Sequence, residues 1–184
     1  FNIVLPLMDY LFGTLYWEPE HLTTPPTSRP MTRMQHQVDI AANPIEVLAY
    51  ASAATRWPEW HPSSLIVDGQ AGPLHAGSRF EEDIRAGGRE GHLSWVVEEY
   101  LPGRRWIARA QGDNGLSLVL TYECAARGNG ARFIRTLDYQ FESLAMRLAN
   151  HLLLKHRIDR ESAQSMLALR AMAQQHLAPT GATA

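Results

Sequence analysis

Arg135 interrupts an apolar face. Phe133, Arg135, Leu137, Tyr139 and Phe141 alternate with more polar residues and so share one side of a strand. Leu116, Leu118, Leu120, Tyr122 and Cys124 do the same in the preceding run, and Leu93, Trp95 and Val97 in an earlier one. If these faces point inward, they enclose an apolar space carrying a few polar groups, the usual make-up of a pocket that orients one functional group of a hydrophobic ligand. The candidate ligand-binding residues are accordingly Trp95, Leu118, Leu120, Tyr122, Phe133, Arg135, Leu137 and Tyr139. A guanidinium in such a place suits a ligand carboxylate or enolate oxygen. The competing expectation is structural: an ion pair with Glu81, Asp83 or Glu99, or a bulge that turns Arg135 out to solvent.

Other residue types that do chemistry form no recognisable constellation. His61 follows Trp60 in a loop and suits either a general base or a hydrogen-bonded structural histidine. His36 and His92 are isolated, and His151 and His156 do not share a helical face. No His, Cys or carboxylate cluster has the spacing of a zinc site, no Gly-x-Ser-x-Gly elbow is present, and no glycine-rich loop opens a helix to cradle phosphate. Neither a metal nor another cofactor is expected, and no residue is assigned a catalytic role. The lone Cys124 excludes an internal disulfide and fits a reducing, cytoplasmic setting.

The elements that must position these residues are legible in the order of the chain. Met34, His36, Val38 and Ile40 alternate as a half-buried strand. Asn43 caps a short helix that opens with Pro44 and buries Ile45, Val47, Leu48 and Ala51. The run Thr55-Arg56-Trp57-Pro58-Glu59-Trp60-His61-Pro62 makes a stiff aromatic corner that closes one end of a core. Strands are then expected at Leu65–Val67, Arg79–Ala86, Gly91–Tyr100, Arg105–Gln111, Leu116–Ala125 and Ala131–Glu142, separated by glycine-rich turns.

From Ser143 to about Leu177 the chain has neither Gly nor Pro until the helix ends. Leu144, Leu148 and Leu152, then Ala163, Met166, Leu167, Ala173 and Leu177, predict an apolar stripe that must be buried against the sheet. Between the two groups, Lys155 with Asp159 and Arg157 with Glu161 have the spacing of ion pairs, so a bend or a rotation of the stripe is expected there.

Composition sets outer bounds. With 184 residues, 45% hydrophobic and 20% charged, and a net charge of −2, the chain is sized for one core plus an appendage and lacks a basic footprint for nucleic acid. Residues 1–17 read as an apolar arm, 18–33 as a Pro/Thr-rich linker, 34–177 as the folded domain and 178–184 as a disordered tail. The arm has no basic leader region, contains Pro6 and Asp9, and falls short of the roughly 20 apolar residues that span a bilayer. It is expected to pack on the domain or on a partner, with association to a membrane surface or membrane enzyme as the alternative.

Two resemblances bear on this reading. Asn2 to Thr14 resembles the C-terminal tail of the sterol desaturase and fatty acid hydroxylase family, whose histidine boxes have no counterpart here. The strand, short-helix, strand-meander and long-helix order, with its Trp-Pro-Glu-Trp-His-Pro stretch, is similar to the START-related superfamily called SRPBCC, nearest the polyketide cyclase/dehydrase and lipid-transport group. That similarity implies an α+β helix-grip fold: a curved seven-stranded antiparallel sheet around a long C-terminal helix, with two short helices after the first strand. It also implies an internal cavity for a lipid, fatty acid or polyketide-like molecule. The expected function is binding or transfer of such a ligand without catalysis. The alternatives are a cyclase or dehydratase acting on a polyketide-like substrate, with His61 or an inward carboxylate as base, and an accessory domain to a membrane desaturase.

Overall fold

Alternation of apolar and polar residues, repeated in seven runs, yields one seven-stranded antiparallel sheet with an apolar concave face and a charged convex face. The computed structural model describes residues 31–86, 89–150 and 154–177. The strands are β1 (Thr32–Ile40), β2 (Ser64–Asp68), β3 (Arg79–Ala86), β4 (Arg89–Leu101), β5 (Arg105–Gly112), β6 (Leu116–Arg127) and β7 (Gly130–Phe141). Helix α1 (Pro44–Ala51) and the short α2 (Trp57–Trp60) follow β1, while α3 (Leu144–Ala149) and α4 (Lys155–Leu177) follow β7. The spatial order is β1-β7-β6-β5-β4-β3-β2, so the meander from β2 to β7 is closed by β1 on its far edge.

Local chemistry sets these boundaries. The Asn43 side chain accepts the Ile45 N–H at 2.9 Å and caps α1, and Ser143 accepts from Met146 to cap α3. Across the convex face, Arg33 pairs with Asp138, Arg132 with Asp39, Arg109 with Glu98 and Arg105 with Glu99, which keeps that face in water. β1 starts at Thr32 rather than Met34, because Thr32 and Arg33 already pair with Tyr139 and Asp138 of β7. The register of β4 on β5 shifts between Val97 and Glu99, a bulge of the kind that bends a strand and helps a sheet curl.

Antiparallel register stacks the inward side chains in rows across the sheet. One row runs Trp95, Ala110, Leu118, Tyr139, and a deeper one Trp106, Tyr122, Arg135. Trp57 drops into this concavity from α2 and meets Phe80, Trp95, Trp106 and Tyr122 edge-on at centroid distances of 5.4, 5.4, 6.1 and 6.5 Å. Its indole N–H donates to the Ala51 carbonyl at 2.9 Å, so the corner locks α1, α2 and the sheet together.

The C-terminal region departs from the expected stripe. α4 buries Ser162, Ser165, Met166, Leu169 and Ala173, whereas Ala163 and Leu167 face solvent. On α3, Leu144 and Leu148 are exposed whereas Met146 is buried. Small serines let the helix approach the sheet closely, and a stripe read from hydrophobicity alone passes over them. Arg157 pairs with Glu161 at 3.1 Å as expected, but Asp159 pairs with His36 of β1 at 3.0 Å instead of Lys155. Leu152, residues 1–30 and 178–184, and with them the expected arm, most of the linker and the tail, lie outside the described residues.

Candidate functional site

Between α4 and the concave face lies a cavity of about 280 Å³. Its walls are mostly apolar, with Leu93, Leu118, Leu120 and Leu137 from the sheet and Met146, Leu154 and Ile158 from the C-terminal region. Of the residues predicted from sequence, Trp95, Leu118, Leu120, Tyr122, Arg135, Leu137 and Tyr139 all line it. Phe133 does not. It is fully buried in the core, its ring 5.1 Å from that of Tyr122. Alternation identifies the face on which Phe133 lies, but not how far along that face the interior is already packed.

Arg135 points inward and is only 5% exposed. One Nη donates to the Ser162 hydroxyl of α4 and the other to His61 Nε2 at 3.0 Å. Its Nε–H is buried without a partner. The carboxylates weighed as partners are engaged elsewhere: Glu81 and Asp83 flank His92, and Glu99 pairs with Arg105. Among the described residues, then, Arg135 is a buried cation with no ion pair and spare donor capacity.

His61 is set by the extended backbone that ends α2 and reaches the cavity beside Arg135. Because the guanidinium has only protons to offer, Nε2 accepts and the imidazole proton sits on Nδ1, which is buried and unpartnered. Burial, then the charge of Arg135, lowers the pKa of His61 to about 3, so at neutral pH it is an uncharged ring whose basic nitrogen is occupied. That makes His61 a poor general base.

Glu82 was missed from the sequence, although Phe80, Glu82 and Ile84 share the inward face of β3 by the same alternation. It is 4% exposed, and its Oε2 accepts the Trp95 indole N–H at 2.9 Å. Burial raises its pKa to about 7, against the opposing pull of the Ser64 hydroxyl, the Trp95 indole and Arg135. Burial also raises Tyr122, which stays a neutral phenol. Glu161 of α4 closes the lining, accepting from Ser63 at 3.0 Å and from Arg157 at 3.1 Å. Among the described residues no three His, Cys, Asp or Glu side chains gather closely enough to hold a metal ion.

A sequence model described as polyketide cyclase/dehydrase and lipid transport matches residues 31–174. The chain belongs to this family. No curated protein matches it. Among solved structures it is similar to the Zhui aromatase/cyclase from a Streptomyces species, at 14% identity and a TM-score of 0.69, covering 83% of this chain and all (100%) of that one. It is also similar to a protein from Thermus thermophilus, TTHA0849, at 16% identity and a TM-score of 0.68 over 79% of this chain and 99% of that one. A START superfamily protein from Mycobacterium smegmatis matches at 16% identity and a TM-score of 0.59, over 78% of this chain and 98% of that one. At these identities the neighbours establish the helix-grip fold, and the family places the chain among binders of hydrophobic small molecules or cyclases. The match begins at residue 31, and the likeness of Asn2 to Thr14 to the sterol desaturase family finds no support. No helix among the described residues is long and apolar enough to cross a membrane.

Proposed function

We propose that this domain binds an amphipathic small molecule whose apolar body fills the cavity and whose anionic or enolic oxygen meets Arg135. The observation that carries this reading is the buried guanidinium. A cation removed from water without a contact ion pair is costly, and Arg135 lies in the wall of a mostly apolar cavity with its Nε–H unpartnered, the carboxyl of Glu82 feeling its charge without pairing with it. Ser162 holds one side of the guanidinium and His61 the other, so its plane is oriented before a ligand arrives. A ligand oxygen would supply the missing acceptor and much of the missing charge. Trp95, Leu118, Leu120, Tyr122, Leu137 and Tyr139 would enclose the rest of the molecule, which favours carriage or storage of a lipid, fatty acid or polyketide-like compound.

Native mass spectrometry of the protein after mild extraction, and again after incubation with a long-chain fatty acid, tests this reading. A one-to-one complex is expected in at least the second sample. A spectrum free of ligand in both would overturn it.

A second reading is favoured by Glu82. A carboxyl at about 7 facing the same cavity is poised to take and return a proton near neutrality, which a cyclase or dehydratase needs and which His61 at about 3 does not provide. In that case Glu82 would remove a proton from carbon next to a ketone, Arg135 would steady the enolate oxygen, and ring closure would be followed by loss of water. Incubation with a poly-β-ketone thioester separates the two: a product lighter by one water, lost in Glu82→Gln, supports the enzyme, and unchanged substrate supports the carrier.

A further inference from the structure

Helix α3 turns its apolar residues the wrong way for a simple core helix. Leu144 and Leu148 are 75% and 60% exposed, while Met146 between them is buried and lines the cavity. A groove of about 500 Å³ runs beside the two leucines and takes in Met31, Arg33, Arg147 and Lys155. Arg33 is neutralised by Asp138 at 2.7 Å, but no carboxylate lies within ion-pair distance of Arg147 or Lys155 among the described residues. The nearby exposed acids are Glu142 and Asp159, the latter paired with His36, and both lie outside the groove. Phe141 forms a wall of both the groove and the cavity, and Met146 and Leu154 line the cavity from the same stretch of chain.

We propose that this face docks on an anionic lipid surface, with Leu144 and Leu148 entering the headgroup region and Arg147 and Lys155 meeting lipid phosphates. Exposed leucines one helical turn apart, flanked by cations without partners, are the arrangement that holds an amphipathic helix in an interface. The chain as a whole carries a net charge of −2, so the attraction is local to this patch. The shared Phe141 wall brings the docked face next to the cavity, where an apolar ligand would pass between bilayer and protein without crossing water. That last consequence rests on the ligand-binding reading, whereas docking itself stands on exposure and charge.

Flotation of the full chain with vesicles tests it, using phosphatidylcholine alone and phosphatidylcholine mixed with phosphatidylglycerol. The parent is expected to float with the mixed vesicles, less so with phosphatidylcholine alone, and less as salt is raised. Leu144→Glu with Leu148→Glu should reduce binding by more than roughly tenfold, since each leucine loses its burial in lipid. The unfolding midpoint should change little, because both side chains are mostly in water. Arg147→Glu should weaken binding to the anionic vesicles only. Failure of the parent to float with anionic vesicles would overturn the proposal. So would equal binding by the double variant, the result expected if residues before Met31 or a protein partner cover this face. Fatty-acid binding in solution should survive in the double variant; its absence in the parent would strike the ligand-binding reading and leave docking standing.

Discussion

Glu82→Gln should remove a pH dependence of stability that a buried acid imposes. In the fold the carboxyl is at about 7, against an ordinary 4.5, because burial disfavours its charged form. The stability that comes from burying it neutral is therefore complete below about 4.5 and is lost as pH rises through about 7. The difference between those values corresponds to about 3 kcal/mol. His61 acts in the opposite sense. Its pKa falls from 6.5 to about 3, so only the unfolded chain takes up a proton as pH drops below 6.5, and stability falls with it. Comparing parent and variant at each pH cancels the His61 contribution, and glutamine keeps an acceptor for the Trp95 indole. In urea unfolding with matched m-values, the two proteins should be nearly equal at about pH 4, and the variant more stable by about 3 kcal/mol at about pH 8. A difference that stays constant over that range would mean that Glu82 ionises as it does in water.

Three further outcomes follow from the packing and charge of the site. Trp57→Ala should destabilise the fold by about 3–5 kcal/mol in denaturant titration, since one ring supports four aromatic neighbours. Gly130→Ala should destabilise by roughly 1–3 kcal/mol in the same assay, because a Cβ there would press on the Ile40 carbonyl of the paired edge strand. An anionic ligand beside Arg135 favours protonated Glu82, so fluorescence titration should find fatty-acid binding strengthening as pH falls from about 8 to about 6, and Glu82→Gln should flatten that profile.

The sheet was legible because its inward and outward residues alternate with little interruption, and turn glycines mark the ends. Arg135 was legible as an outlier on its face for the same reason. Glu82 lies on an equally readable face, but two acidic neighbours, Glu81 and Asp83, hid it in what reads as a charged run. The contact of Arg135 with His61 joins residues far apart in sequence, and only the α2 corner brings them together. Ser162 escaped notice because a serine on the buried side of a helix looks polar, although its hydroxyl is what the guanidinium requires. α3 misled for the reverse reason: its leucines continue the helical spacing, yet the sheet lies under Met146.

Arg135→Met keeps side-chain length and removes the charge, so it separates a head-group anchor from a structural cation. A fatty acid and its methyl ester should each be titrated against parent and variant by intrinsic tryptophan fluorescence. The account predicts that the acid loses roughly 2–5 kcal/mol of binding on substitution and that the ester, which brings no charge to Arg135, scarcely changes. Equal losses for acid and ester, or none for either, would contradict it.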